Sequence, residues 1–151
     1  MIKNEREYGI TTRAIERFEK ALTALRRDLD TGSHDDQRWR RIHETAMVSE
    51  VGTLRQQLAE FDELRSGESR RLPLAVVSDI PAALVKARIA AGLSQAELAA
   101  RLDLTEEQLQ RHEAQDYRTV SVGDLLRIAR ILGIEIRGDL KLAGAQAHAA
   151  D

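Results

Sequence analysis

Cysteine is absent from the 151-residue chain, which excludes disulfide staples and thiolate metal sites. Proline occurs twice and aromatic residues make up only 3%. Alanine, leucine and charged residues are abundant instead, a mix that favours helices over strands. No apolar run approaches the roughly 20 residues needed to span a bilayer. The charged start, Met1-Ile-Lys-Asn-Glu-Arg-Glu-Tyr8, lacks the apolar stretch of a signal peptide. A cytoplasmic protein with no membrane association is expected. There is no nucleophile elbow, phosphate loop or paired-carboxylate arrangement. His34 beside Asp35 and His43 beside Glu44 fit no standard metal-ligand spacing and read as polar surface. The expectation is a non-enzyme with no cofactor and no metal. Net charge is −2, so any nucleic-acid binding must draw on locally placed basic residues.

The first 66 residues carry two apolar stripes at helical spacing. Ile15, Phe18, Leu22, Leu25 and Leu29 form one, and Met47, Val51, Leu54, Leu58 and Phe61 the other. Each is a coiled-coil-like a/d pattern over about two heptads. Trp39, Ile42 and Ala46 extend the second stripe. Thr11 or Thr12 is the expected start of the first helix. Asp30-Thr-Gly-Ser-His-Asp-Asp36 breaks the pattern, so residues 1–66 read as an antiparallel helical hairpin. Two helices alone bury little, and the stripes need a further surface. Self-association ranks first, packing on the C-terminal domain second, and a different protein third. The ten stripe residues are therefore the expected dimerisation set.

Residues 67–79 read as a linker, after which Ser78 or Asp79 caps a helix with Pro81 in its first turn. The informative segment follows. Ser94 with Glu97 and Thr105 with Gln108 are two capping boxes eleven residues apart. They leave room for a two-turn helix, a tight turn and a second helix, the spacing of a helix-turn-helix. Further on, Ser121 starts another helix, Ile134 to Leu142 alternates as a short strand or extended tail would, and 143–151 reads as disordered.

Arg88, Leu93-Ser94-Gln95, Leu98-Ala99 and Glu113 together resemble the Cro and repressor-type, or XRE, helix-turn-helix family. The resemblance covers roughly residues 80–134. Asp103 stands where the family usually has glycine, and His112 where it usually has an aliphatic residue. The resemblance implies a buried Arg88–Glu113 ion pair and a small residue at Ala99, where two helices cross. It implies a repressor-like domain of four to five helices over 80–142, so that with the hairpin the expected fold is all-α. It also implies a sequence-specific regulator of transcription that binds double-stranded operator DNA as a homodimer. Antitoxins of the HigA type, which pair with a cognate toxin, and phage-like repressors are specific cases. The expected DNA-binding set is Gln95, Thr105, Glu106, Glu107, Gln108, Gln110, Arg111 and Arg118. Gln suits adenine, Arg guanine and Glu cytosine N4, while Gln95 suits a phosphate. Arg70 and Arg71 flank the module. Against this, residues 80–133 hold seven Lys or Arg and seven Asp or Glu. The competing reading is a protein-interaction module whose helix-turn-helix serves packing or dimerisation.

Overall fold

The computed structural model describes residues 1–27, 33–68 and 71–137. They form six α-helices and one 3₁₀ turn, and no strand occurs among the described residues. Leu29, Arg70 and the stretch from 138 onward lie outside them, so the strand-like alternation is described only for 134–137, which has no regular structure, and the expected tail 143–151 lies outside the described residues. No described helix is long and apolar enough to cross a membrane.

Helix α1 spans Glu5–Arg27 and α2 spans His34–Ser66. The start of α1 differs from expectation. Asn4, not Thr11 or Thr12, caps it: its Oδ1 accepts from the Glu7 N–H at 2.9 Å, and Glu7 Oε2 accepts from the Lys3 N–H at 2.8 Å. Thr12 lies inside the helix, its hydroxyl turned to the Tyr8 carbonyl. The Asn-x-x-Glu pattern is a start signal of the same kind as those farther along the chain. Ser33 and Asp36 form a full capping box at α2, and Gly67 ends that helix in the left-handed region at φ 69°.

The two stripes close on each other. Ile15, Leu22 and Val51 are buried together, with Phe18, Met47, Leu54 and Leu58 packed around them. Leu25 is half-buried. Arg26–Glu44 and Arg55–Glu19 ion pairs tie the helices along their flanks. The expected dimerisation stripe is thus consumed largely inside the hairpin, because two antiparallel helices this long can zip their a/d positions together. Helix α1 ends level with Glu44, so the start of α2 overhangs it. Trp39 and Ile42 on that overhang are 59% and 61% exposed.

The second use of the hairpin is as a wall of the C-terminal core. Ile2, Phe61 and Leu64 are buried in one cluster with Leu84, Val85, Ile89, Leu98, Leu109 and Ile128. Half-buried Tyr8 and Leu72 pack against it, so the expected linker contributes to the core as well. A 3₁₀ turn at Val77–Asp79 leads into α3, Ile80–Ala90. Asp79 makes no cap of α3. Its carboxylate turns back to the N–H groups of Ala75 and Val76, each at 3.1 Å, which fixes the approach of the chain. Helices α4 (Gln95–Arg101), α5 (Glu106–Ala114) and α6 (Val122–Ile131) complete the domain.

Phe61 is one of the hairpin side chains buried in the C-terminal core, and Leu58, one turn before it, packs against both clusters. Phe61→Ala should cost about 3–5 kcal/mol, as for large-to-small changes in a packed core. A urea titration would register it as a lower midpoint. An unchanged midpoint would mean that the hairpin does not contribute to the stability of the C-terminal core.

Candidate nucleic-acid interface

Helices α4 and α5 are each started by a reciprocal cap. Ser94 Oγ accepts from the Glu97 N–H at 3.1 Å and Glu97 Oε2 accepts from the Ser94 N–H at 2.7 Å. Thr105 and Gln108 repeat the arrangement at 3.2 and 2.8 Å. Both helices are short, nine residues or fewer, so these caps supply much of what defines their ends. Between them Asp103 takes φ 59°, the left-handed conformation for which glycine is the usual residue. Its carboxylate reaches Arg127 of α6 at 2.7 Å. Ala99 is 1% exposed at the crossing of α4 and α5. Leu104 N–H returns to its carbonyl at 2.9 Å, so a larger residue would push the turn away.

Arg88 and Glu113 hold the unit together from beneath. Arg88 Nε and Nη2 donate to the two Glu113 oxygens at 2.7 and 2.9 Å, a bidentate pair with the side chains 3% and 0% exposed. Two further donors are satisfied: Nη1 meets the Leu93 carbonyl at 2.9 Å and Nη2 the Lys3 carbonyl at 2.7 Å. Gln95 Nε2 donates to Glu113 Oε2 at 2.6 Å. Tyr117 closes the cluster at 3% exposure, held by consecutive left-handed residues at Asp116 and Tyr117. Burial first, and the Glu113 charge second, raise the Tyr117 phenol above its ordinary range. His112, at its usually aliphatic position, buries an Nδ1 that finds no partner.

The residues expected to face DNA divide into three groups. Glu106, Glu107, Gln110 and Arg111 are exposed on the outward side of α5, with Gln110 Nε2 bonded to Glu106 at 3.0 Å. Thr105 and Gln108 are exposed but committed to the cap, and Arg118 is exposed in the loop after α5. Gln95 is placed differently from the expectation. It is 6% exposed, and its amide is occupied by Glu113 on one side and Asn4 on the other, at 3.0 Å. Sequence spacing put it on the first turn of α4 but could not show that the chain terminus would come to lie over it.

Residues 84–138 match the helix-turn-helix family. The match begins at Leu84 of α3 and runs through α6, taking in both caps and the ion pair. Neither the curated proteins nor the solved structures contain a match to the chain. The helix-turn-helix match supports a DNA-binding regulator in general terms, with DNA as its partner. No group of three metal-ligating side chains forms among the described residues. His43 stacks on Trp39, with ring centroids 3.9 Å apart.

Two outcomes follow for the unit. Arg88→Ala should destabilise the fold by about 3–5 kcal/mol, because it strands a buried carboxylate. Arg88→Met combined with Glu113→Leu should cost less than either single removal, and thermal melts of the three variants decide it. The Glu97 carboxyl is held below its ordinary pKa of 4.5, chiefly by the Ser94 backbone N–H and then by the Ser94 hydroxyl. A depressed folded-state pKa means the stabilisation is present above the unfolded value and is lost as pH falls through the folded one. Melting temperature should thus decline below about pH 4.5 in the wild type and less steeply in Glu97→Gln, which keeps the cap but does not titrate. Parallel slopes would remove Glu97 from the acid dependence.

Proposed function

We propose that this protein is a sequence-specific transcriptional regulator that presents α5 to the major groove of operator DNA. The observation that carries the reading is the buried Arg88–Glu113 pair. It ties α3 to α5 across α4 and leaves the opposite side of α5 as a polar surface bearing Glu106, Glu107, Gln110 and Arg111. Arg111 suits guanine, Gln110 adenine, and either glutamate cytosine N4. Arg118 and the flanking Arg71 suit the backbone.

A two-fold operator needs two such helices about 34 Å apart, hence a homodimer. With the hairpin stripes buried, the dimer contact passes to apolar side chains still exposed: Trp39 and Ile42 on the overhang of α2, and Val122 and Leu126 on α6. An autoregulatory antitoxin is a special case of this reading, which finding a toxin gene next to this one would support.

The second reading, a protein-interaction module, is favoured by one feature. Two carboxylates, Glu106 and Glu107, open the helix that should approach phosphates. They suit the N-terminal dipole and can serve α5 alone.

Selection of binders from a random duplex pool, followed by affinity against salt, separates the readings. A regulator yields an enriched sequence and a salt slope that reflects its phosphate contacts. Arg111→Ala should then relax preference at one base position by about 1–3 kcal/mol while leaving the melting temperature unchanged. No enrichment and no salt-dependent binding would leave the interaction module as the reading. Sedimentation at tens of micromolar, a concentration chosen on the order of weak dimer dissociation constants, checks the homodimer. A monomer there would rule it out.

A further inference from the structure

The amino terminus lies over Gln95, one of the residues expected to meet DNA, and beside Glu106 and Gln110 at one edge of the α5 face. Ile2 is 3% exposed in the C-terminal core, 82 residues from its neighbour Leu84 in sequence. Around it the arm makes four polar contacts with the helix-turn-helix. The Lys3 carbonyl accepts from Arg88, Lys3 Nζ donates to the Glu113 carbonyl and lies 3.6 Å from Asp116, and Asn4 donates to Gln95. The first turns of α1 then form one wall of a cleft of about 1000 Å³. Glu5, Arg6, Glu7 and Ile10 line that wall, and Gln95, Glu106 and Gln110 line the other.

A major groove is about 12 Å wide, and an α-helix with its side chains is about 10–12 Å across. The groove admits α5 by itself. It does not admit α5 with a second helix beside its reading face. The cleft is also poorly suited to phosphates, since Glu5, Glu7, Glu97 and Glu106 line it against Lys3, Arg6 and Arg65 at its rim, the Arg88 charge being taken by Glu113. Arg65 is itself paired with Glu5 and Asp62.

We propose that the arm and first turns of α1, residues 1–10, are an intramolecular cover that competes with DNA for the helix-turn-helix. The covered form is closed to the major groove, and the open form requires the arm to leave Gln95 and Ile2 to leave its pocket. Ile2 is its only fully buried side chain. Detachment also breaks the 3.0 Å Tyr8–Asp62 bond and the Tyr8–Phe61 ring contact. The rest of the hairpin can stay docked through Phe61 and Leu64 when these ten residues detach.

This inference rests on the DNA-binding reading, and the experiment separates the two. Full-length wild type, Asn4→Ala and Ile2→Asp are titrated with a 24-base-pair random-sequence duplex at low salt, and each is checked for folding by a thermal melt. The expected result is tighter binding by both variants, by about tenfold for Ile2→Asp. In parallel, Arg6→Cys carries a single environment-sensitive dye, since the chain has no other cysteine. This reports on the otherwise intact protein if Ile2→Asp fails to fold. DNA should shift its emission toward that of a dye on a free peptide. Equal or weaker binding by Asn4→Ala, or a dye signal that DNA leaves in its docked state, overturns the cover while leaving DNA binding in place. No DNA binding by any form overturns both.

Discussion

One buried charge pair organises the C-terminal half of this protein. Arg88 sits in the last turn of α3, Glu113 in the last turn of α5, and both are removed from water. Desolvating two charges is costly and is offset only when geometry is good and every donor is satisfied. Here the pair is bidentate, and two more guanidinium protons go to the Leu93 and Lys3 carbonyls. Each of those acceptors belongs to a different piece of chain. The requirement to satisfy one arginine therefore positions the turn before α4 and the amino-terminal arm at once.

The same economy governs the short helices. Neither α4 nor α5 is long enough to be stable alone. Their reciprocal caps satisfy N–H groups that would otherwise be open, and Leu98 and Leu109, both 0% exposed, provide the packing. Strain is confined to the connections, where Asp103, Asp116 and Tyr117 take left-handed conformations. Asp103 and Tyr117 are each held by neighbours: Asp103 by Arg127, Tyr117 by burial against the ion pair.

The hairpin satisfies its own hydrophobic demand in the upper part and the domain's demand in the lower part. Val51 packs upward with Ile15 and Leu22, whereas Phe61 and Leu64 belong to the other core. A stripe that is continuous in sequence is thus divided between two clusters. Trp39 and Ile42 on α2 and Val122 and Leu126 on α6 are among the apolar side chains that stay exposed.

Local signals made the secondary structure and the helix-turn-helix legible. Ser94 with Glu97 and Thr105 with Gln108 are contacts across three residues, so their chemistry is complete within a short window; Ser33 with Asp36 is as local but lies in a run of turn formers that reads as a break. The Asn4–Glu7 start was equally local and was masked by the threonines that follow. Spacing alone also placed Glu106, Gln110 and Arg111 on one outward face of α5. The tertiary structure decided which surfaces meet. That the two stripes would close on each other, that Phe61 would serve the second core, and that Asn4 would take up the Gln95 amide all depend on contacts between residues as many as 91 positions apart. Periodicity reports that a face must be buried. It carries no information about which face buries it, because apolar contact is non-directional and any complementary surface will serve.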